Sequence, residues 1–143
     1  MQLRTVFDSN VYVAAALRPG GHADLWLDIA ALPSSGLCLF ISAHILNEVQ
    51  RKLTELGVAA ADTRRFIQRL QLVAVMVAPT ERVKVVKDDP DDDAILECAL
   101  AAQAQLIVSA DHHLLNLSPY GDIGVTHPRE LKRIFASDFE QAA

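Results

Sequence analysis

The sequence predicts an α/β fold, a three-layer α/β/α sandwich around a mainly parallel central sheet. Short apolar runs of strand length alternate with helical patterns along the whole chain, as in parallel sheets that are covered by helices on both faces. The run at residues 37–41 is apolar at every position, which is typical of a strand buried on both faces. Acidic residues follow several of these runs, at the edge where such sheets bind ligands.

The predicted elements follow one another without an internal repeat or an obvious linker. The predicted strands are residues 4–8, 37–41, 72–77, 83–86, 106–109 and 123–126. The predicted helices are residues 10–17, 22–31, 43–56, 63–70, 94–103, 112–117 and 128–135. The runs at 72–77 and 83–86 are both strand-like, and either can belong to the sheet.

Turn and capping residues delimit the elements of the first half. The first strand contains β-branched residues and ends in Asp8. Pro19-Gly20-Gly21 stops the first helix, and Pro33-Ser34-Ser35-Gly36 forms a turn after the second. Ser42 can cap the third helix at its amino end, and Gly57 can terminate it.

The second half contains the same kinds of signal. Asp62 can cap the fourth helix, and an Ala-rich apolar pattern over residues 94–103 predicts the fifth. The run at 106–109 has the composition of a buried strand. Pro128 suits the first position of the last helix, because its missing N–H is not needed there. Strands and helices thus alternate to the end of the chain.

Length and composition indicate one ordinary globular domain. The chain has 143 residues, of which 51% are hydrophobic, so a full core can form. We predict a single domain over residues 1–143 with a disordered tail from about residue 137. Cys38 and Cys98 form no metal-binding pattern and are expected to be reduced, as in a cytoplasmic protein. We expect neither a secretory signal nor a membrane-spanning segment, because the first residues contain no apolar signal core and the longest apolar run, residues 72–78, is too short.

Acidic residues from distant parts of the chain arrive at the carboxyl edge of the predicted sheet. Asp8 ends the first strand, Asp111 follows the strand at 106–109, and Asp92 starts a later helix. Glu48 borders the apolar stripe of the helix after the second strand. Carboxylates favour hard cations, so the pattern predicts a Mg²⁺ or Mn²⁺ site suited to phosphoryl chemistry. The net charge of −5 argues against a basic DNA-binding module but not against such a nuclease.

A dense run of aspartates precedes the fifth predicted helix. Its members are Asp88, Asp89, Asp91, Asp92 and Asp93. Like charges this close repel one another unless water or a cation offsets the cost. An EF-hand calcium loop does not fit, because Ala94 stands where that loop needs Gly and Leu100 where it needs Glu. We expect one or two of the five to be ligands and the rest to be helix caps or solvated charges.

Taken singly, each acid also has a structural interpretation. Asp8 and Asp111 can cap helices. Glu48 can form a surface ion pair with Lys52, four residues later. Ser109 can be a buried, hydrogen-bonded strand residue. The shared placement of these residues at one sheet edge is what favours a functional site.

The segments that contain these residues resemble the PIN-domain family, and in particular the VapC-type toxins of bacterial toxin–antitoxin systems. They cover almost the whole chain in the family's order and are residues 6–11, 42–53, 89–100, 106–115 and 125–130. The resemblance implies a PIN-like three-layer fold and a Mg²⁺- or Mn²⁺-dependent ribonuclease. It further implies RNA as the substrate, a small antitoxin protein as a partner, and a homodimer.

The resemblance also implies roles for individual residues. Four acids match the family's catalytic and metal-binding set, and they are Asp8, Glu48, Asp92 and Asp111. Ser109 matches the hydroxyl of the Thr/Ser-x-Asp signature, and Asn10 matches a polar residue that braces the first acid. Within the aspartate run, Asp93 or Asp89 are alternatives to Asp92.

Two other functions fit parts of the pattern. An acidic-pocket phosphatase needs a second Asp two residues after Asp8, where this chain has Asn10. A PIN fold that binds RNA or protein without cleavage is the other alternative.

Two groups of basic residues could hold flanking phosphates or form solvated faces. The first group is Arg64, Arg65 and Arg69, and the second is Arg82, Lys84 and Lys87.

Overall fold

The fold is a five-stranded sheet flanked by helices, seen in a computed structural model that describes residues 2–86 and 89–142. Lys87 and Asp88, named above in the basic group and the aspartate run, lie outside the described residues. The strands are β1 Leu3–Phe7, β2 Leu37–Ile41, β3 Val75–Met76, β4 Leu106–Val108 and β5 Gly124–Thr126. The helices are α1 Ser9–Leu17, α2 His22–Ala30, α3 Ala43–Glu55, α4 Ala60–Val73, α5 Pro90–Ala101, α6 His112–Leu115, α7 Pro128–Ile134 and α8 Ala136–Ala142.

The sheet has the strand order β3-β2-β1-β4-β5, and all its strand pairs are parallel. This confirms the predicted α/β/α class. The central strand β1 pairs with β2 on one side and with β4 on the other, where Phe7 lies opposite Val108. The next backbone N–H, that of Asp8, donates to the Val108 carbonyl at 3.0 Å. The ends of β1 and β4 therefore present Asp8 and Ser109 side by side.

The core explains why the apolar runs have strand and helix periodicity. Side chains from β1, β2 and β4 are fully buried between helices, and the largest buried residues include Trp26, Tyr12 and Phe7. Cys98 is buried and Cys38 half-buried, and both are free cysteines. Within the described ranges, no helix combines the length and apolar character required to cross a bilayer.

Several predicted boundaries are confirmed by their caps. The Ser42 hydroxyl accepts from the Ile45 N–H at 3.3 Å at the start of α3, and Gly57 follows that helix at φ +83°. Pro128 occupies the first turn of α7. Most other ends agree with the sequence to within one or two residues.

The strand predicted at residues 83–86 is wrong. The N–H groups of Val85 and Val86 donate to the carboxylate of Asp93 at 3.0 and 2.8 Å, so a side chain takes the place of a neighbouring strand. In the other candidate run, only Val75–Met76 joins the sheet, because residues 72 and 73 continue α4. Residues 83–86 thus have the composition of a strand, but their backbone bonds to a side chain and not to a neighbouring strand.

Three helices also differ from the prediction. Asp62 does not cap α4, which starts earlier, at Ala60, and Asp62 instead pairs with Arg65 within the first turn. The helix predicted from residue 94 starts four residues earlier, because Asp89 caps it and Pro90 opens it. Residues Ala136–Ala142 form α8, where the sequence predicted a tail.

Candidate active site

Three aspartates meet where α5 and α6 begin. Asp89, Asp92 and Asp111 each offer a carboxylate oxygen, and these atoms all lie within 4.8 Å of one another. Asp89 caps α5 by accepting from the Asp92 N–H at 3.2 Å. Asp111 caps α6 by accepting from the His113 N–H at 2.8 Å. We call these three aspartates the acid cluster; they could hold a metal ion.

Asp92 is the buried member of the acid cluster, since Asp89 and Asp111 are both partly exposed. Its side chain is only 5% exposed, and its Oδ2 atom is buried without a hydrogen-bond partner. Burial first, then Asp111 and then Asp89, raises the pKa of Asp92 to about 8. A carboxylate in this position is costly when charged, and a bound cation would offset that cost.

Asp8 lies next to the acid cluster but is not part of it. It is buried and accepts three hydrogen bonds, from the Asn10 N–H at 3.3 Å, the Ser9 hydroxyl at 3.3 Å and the Ser109 hydroxyl at 2.7 Å. The Ser109 hydroxyl in turn accepts from the Asp111 N–H at 2.9 Å. Ser109 therefore links the acid at the end of β1 to the acid cluster.

Ser109→Ala is expected to weaken the binding of Mn²⁺ to the acids by about 10- to 100-fold, the usual effect of losing a partner that orients a ligand. The Asp8 carboxylate would lose its shortest hydrogen bond, and the loop that carries Asp111 would lose its acceptor. The measurement is the Mn²⁺ dissociation constant from titration calorimetry. Ser109→Thr keeps the hydroxyl and should retain most of the affinity. Equal losses in both variants would contradict the role of the hydroxyl.

Glu48 is buried behind a lysine. It is 6% exposed, and its Oε1 atom pairs with Lys52 Nζ at 2.7 Å. The Oε2 atom is buried without a hydrogen-bond partner. Lys52 also donates to the Ser9 hydroxyl at 3.0 Å and to Asn10 Oδ1 at 2.9 Å. The Glu48–Lys52 pair expected on the surface thus lies in the site, and Asn10 contacts Asp8 through its backbone rather than its side chain.

A second group of potential metal ligands surrounds Glu48. His44, Glu48 and Asp91 each place one donor atom within 4.8 Å of the other two, and His44 Nε2 lies 2.9 Å from Asp91 Oδ1. A third group consists of Asp111 and its neighbours His112 and His113. Asp8 belongs to none of the three groups found among the described residues. Sequence reasoning found no partner for His44, because Asp91 is 47 positions away and no local spacing connects the two residues.

The structure separates the aspartates of the run. Asp93 is buried and its carboxylate is occupied by the Val85 and Val86 N–H groups. Asp91 pairs with His44 and is about half exposed. Asp89 and Asp92 face Asp111 in the acid cluster. Asp93 is thus structural, whereas Asp92 and Asp89 are the members of the run whose carboxylates meet that of Asp111.

Three members of the two basic groups form ion pairs within the chain. Arg69 pairs with Asp24 and Asp28, and Arg65 with Asp62. Arg82 pairs with Glu97. The Arg65 and Arg82 side chains are largely exposed, so these two pairs contribute little to stability.

Comparison with known proteins adds one finding. The sequence model of a family described as PIN domain matches residues 4–113, from β1 into α6. The matched region contains all four acids predicted from the sequence, as well as Ser109. No curated protein and no solved structure gives a significant match.

Proposed function

The chain belongs to the PIN-domain family, and we propose that it is a divalent-metal-dependent endoribonuclease, the toxin of a type II toxin–antitoxin pair. PIN domains are as a class metal-dependent nucleases. The observation that carries the proposal is the buried, unpartnered Asp92 Oδ2 beside Asp89 and Asp111. A buried carboxylate without a partner costs folding free energy, and this cost favours a functional role for Asp92.

The donor set fits a hard cation. All three donors of the acid cluster are carboxylate oxygens, which favour Mg²⁺ or Mn²⁺. In our proposal Asp92 and Asp111 hold the ion together with Asp89, while Asp8 and Glu48 complete the predicted ligand set. When bound, the ion neutralises phosphate charge and lowers the pKa of a water ligand.

The remaining groups position the reaction. Ser109 orients Asp8, and Lys52 holds one oxygen of Glu48, so that the other is left to hold a second ion or to orient a water molecule. The amino end of the 12-residue helix α5 lies at the acid cluster, where its dipole modestly stabilises negative charge. No side chain acts as a covalent nucleophile in this scheme.

The toxin role extends the proposal to partners. A nuclease of cellular RNA needs a restraint, so we propose a small antitoxin protein that covers the acids, and a homodimer in the cytoplasm. The family resemblance of the sequence supports this step. Growth arrest on expression of the wild type, but not of an acid variant, would be consistent with it.

Cleavage of a mixed RNA pool tests the activity. With Mn²⁺ the wild-type protein is expected to cut RNA, and excess EDTA should stop it. Asp8→Asn and Asp111→Asn should each lower the rate at least about 100-fold, because loss of a metal's stabilisation costs several kcal/mol. Asp122→Asn, at an exposed residue outside the three groups, is the matched control. RNA binding with no cleavage under any divalent ion would instead identify a binding module.

A further inference from the structure

We propose that a cavity next to the acid cluster binds one nucleotide of the RNA strand, beside the phosphate that is cut. This inference rests on the proposed function, because it assigns a substrate subsite to the same active site. The cavity has a volume of about 370 Å³ and lies between α1, α2 and α7. That volume is within the range of small-ligand sites in proteins.

The cavity lies close to the acids along the chain. Its lining includes Asn10, two residues after Asp8, and Ala110, the residue before Asp111. A molecule that occupies the cavity therefore reaches the carboxyl edge of the sheet, where the acids lie. A single RNA strand can fill both places at once, with one nucleotide in the cavity and the next phosphate at the acids.

The walls of the cavity suit a nucleobase. They are mainly apolar and include Val11, Ala14, Ala23 and Trp26. Ala14 is exposed on α1, so the opening is bordered by a small side chain that leaves room for a planar group. Apolar surfaces that admit a base without reading its edges are typical of sites that tolerate several sequences.

The charge of the cavity suits a phosphate. His22, Arg129 and Lys132 are among its lining residues, and none of the lining residues is acidic. The whole chain, by contrast, carries a net charge of −5. A basic lining next to a cluster of carboxylates favours an anionic ligand that must be drawn to an acidic site. An RNA strand meets both features of the cavity, since its bases suit the apolar walls and its phosphates suit the basic residues.

Trp26 provides a direct readout. It is the single tryptophan of the chain, lines the cavity and packs edge-on against Phe135 at 6.2 Å between ring centroids. A nucleotide that enters the cavity should change its fluorescence. Binding can thus be measured in EDTA, where no metal-dependent cleavage takes place.

The experiment titrates the full-length protein in EDTA with a five-nucleotide single-stranded RNA of mixed sequence. Wild type should show saturable binding with a change in Trp26 fluorescence. Arg129→Ala should weaken binding about tenfold and lower the salt dependence of log K by roughly 0.7, as expected for one lost phosphate contact to a single strand. Ala14→Leu, which fills the opening at an exposed position, should abolish the fluorescence change.

Arg133→Ala is the matched control, because Arg133 lies on the same helix but is exposed and does not line the cavity. Its affinity and salt slope should equal those of the wild type, and thermal melting should confirm that all variants fold. Unchanged binding by Arg129→Ala and Ala14→Leu would overturn the proposal, as would a Trp26 response to an acidic peptide but not to RNA. Cleavage without any Trp26 response would support the nuclease activity and refute the nucleotide subsite. A Trp26 response without cleavage would support RNA binding in the cavity and refute the nuclease activity.

Discussion

Asp92→Asn is expected to stabilise the metal-free protein at pH 8 and, at the same time, to abolish RNA cleavage. Burial and two neighbouring carboxyls raise the pKa of Asp92 to about 8. Between about pH 4 and pH 8 the unfolded chain ionises this group while the folded chain keeps its proton, so stability falls as pH rises. The amide of Asn cannot ionise, and the variant should gain on the order of 2 kcal/mol at pH 8.

The measurement is urea unfolding in EDTA at pH 5 and pH 8, beside RNA cleavage with Mn²⁺. The gain of Asp92→Asn should grow with pH, while cleavage should drop at least about 100-fold. Asp91→Asn is the control, because the Asp91 side chain is about half exposed and its ion pair among the described residues is with His44. It should change the free energy of unfolding by less than about 0.5 kcal/mol. A loss of stability at pH 8 in Asp92→Asn would contradict the assignment of Asp92 as a buried, unpaired charge.

Lys52→Met is expected to destabilise the protein by about 2 to 3 kcal/mol, since it leaves the buried Glu48 carboxylate without its cation. It also removes the donor to Ser9 and Asn10, which loosens the start of α1. Glu48→Gln added to Lys52→Met should recover more than half of the loss, because the neutral amide needs no counter-charge. The measurement is a double-mutant cycle by urea unfolding.

Arg51→Met offers a matched comparison one residue away. Arg51 pairs with Glu55 with the same i,i+4 spacing, but the two side chains are 53% and 61% exposed. Its loss should cost less than about 0.5 kcal/mol. The buried pair would not contribute more than the exposed one if the Arg51 and Lys52 variants lost equal stability. The same conclusion would follow if the stability effects of the changes at Glu48 and Lys52 were additive.

The sequence was sufficient for the fold class and the family. Apolar runs and caps such as Ser42 and Pro128 depend on neighbouring residues only, so their pattern is visible in the chain itself. The prediction of a strand at residues 83–86 failed because the partner of this segment is not visible in the local sequence. Its backbone is held by Asp93, a side chain, and no local pattern distinguishes that partner from a strand.

The candidate site was also predictable in its local features and unpredictable in its long-range contacts. The sequence placed Asp8, Asp92 and Asp111 at one sheet edge because parallel strands all end there. Their roles as ligands stay a prediction. The sequence did not provide the cavity at Trp26 or the contact of His44 with Asp91, which join elements that have no fixed spacing in the chain.

By itself, then, the sequence determined the α/β class, the membership of the PIN-domain family and the edge of the sheet at which carboxylates collect. Only the tertiary structure decided which carboxylate of the aspartate run is buried without a partner and which one binds backbone. It also connected Ser109 to Asp8, 101 residues away. The reason is physical: periodicity and capping are local, whereas burial and hydrogen-bond partners depend on which elements pack together.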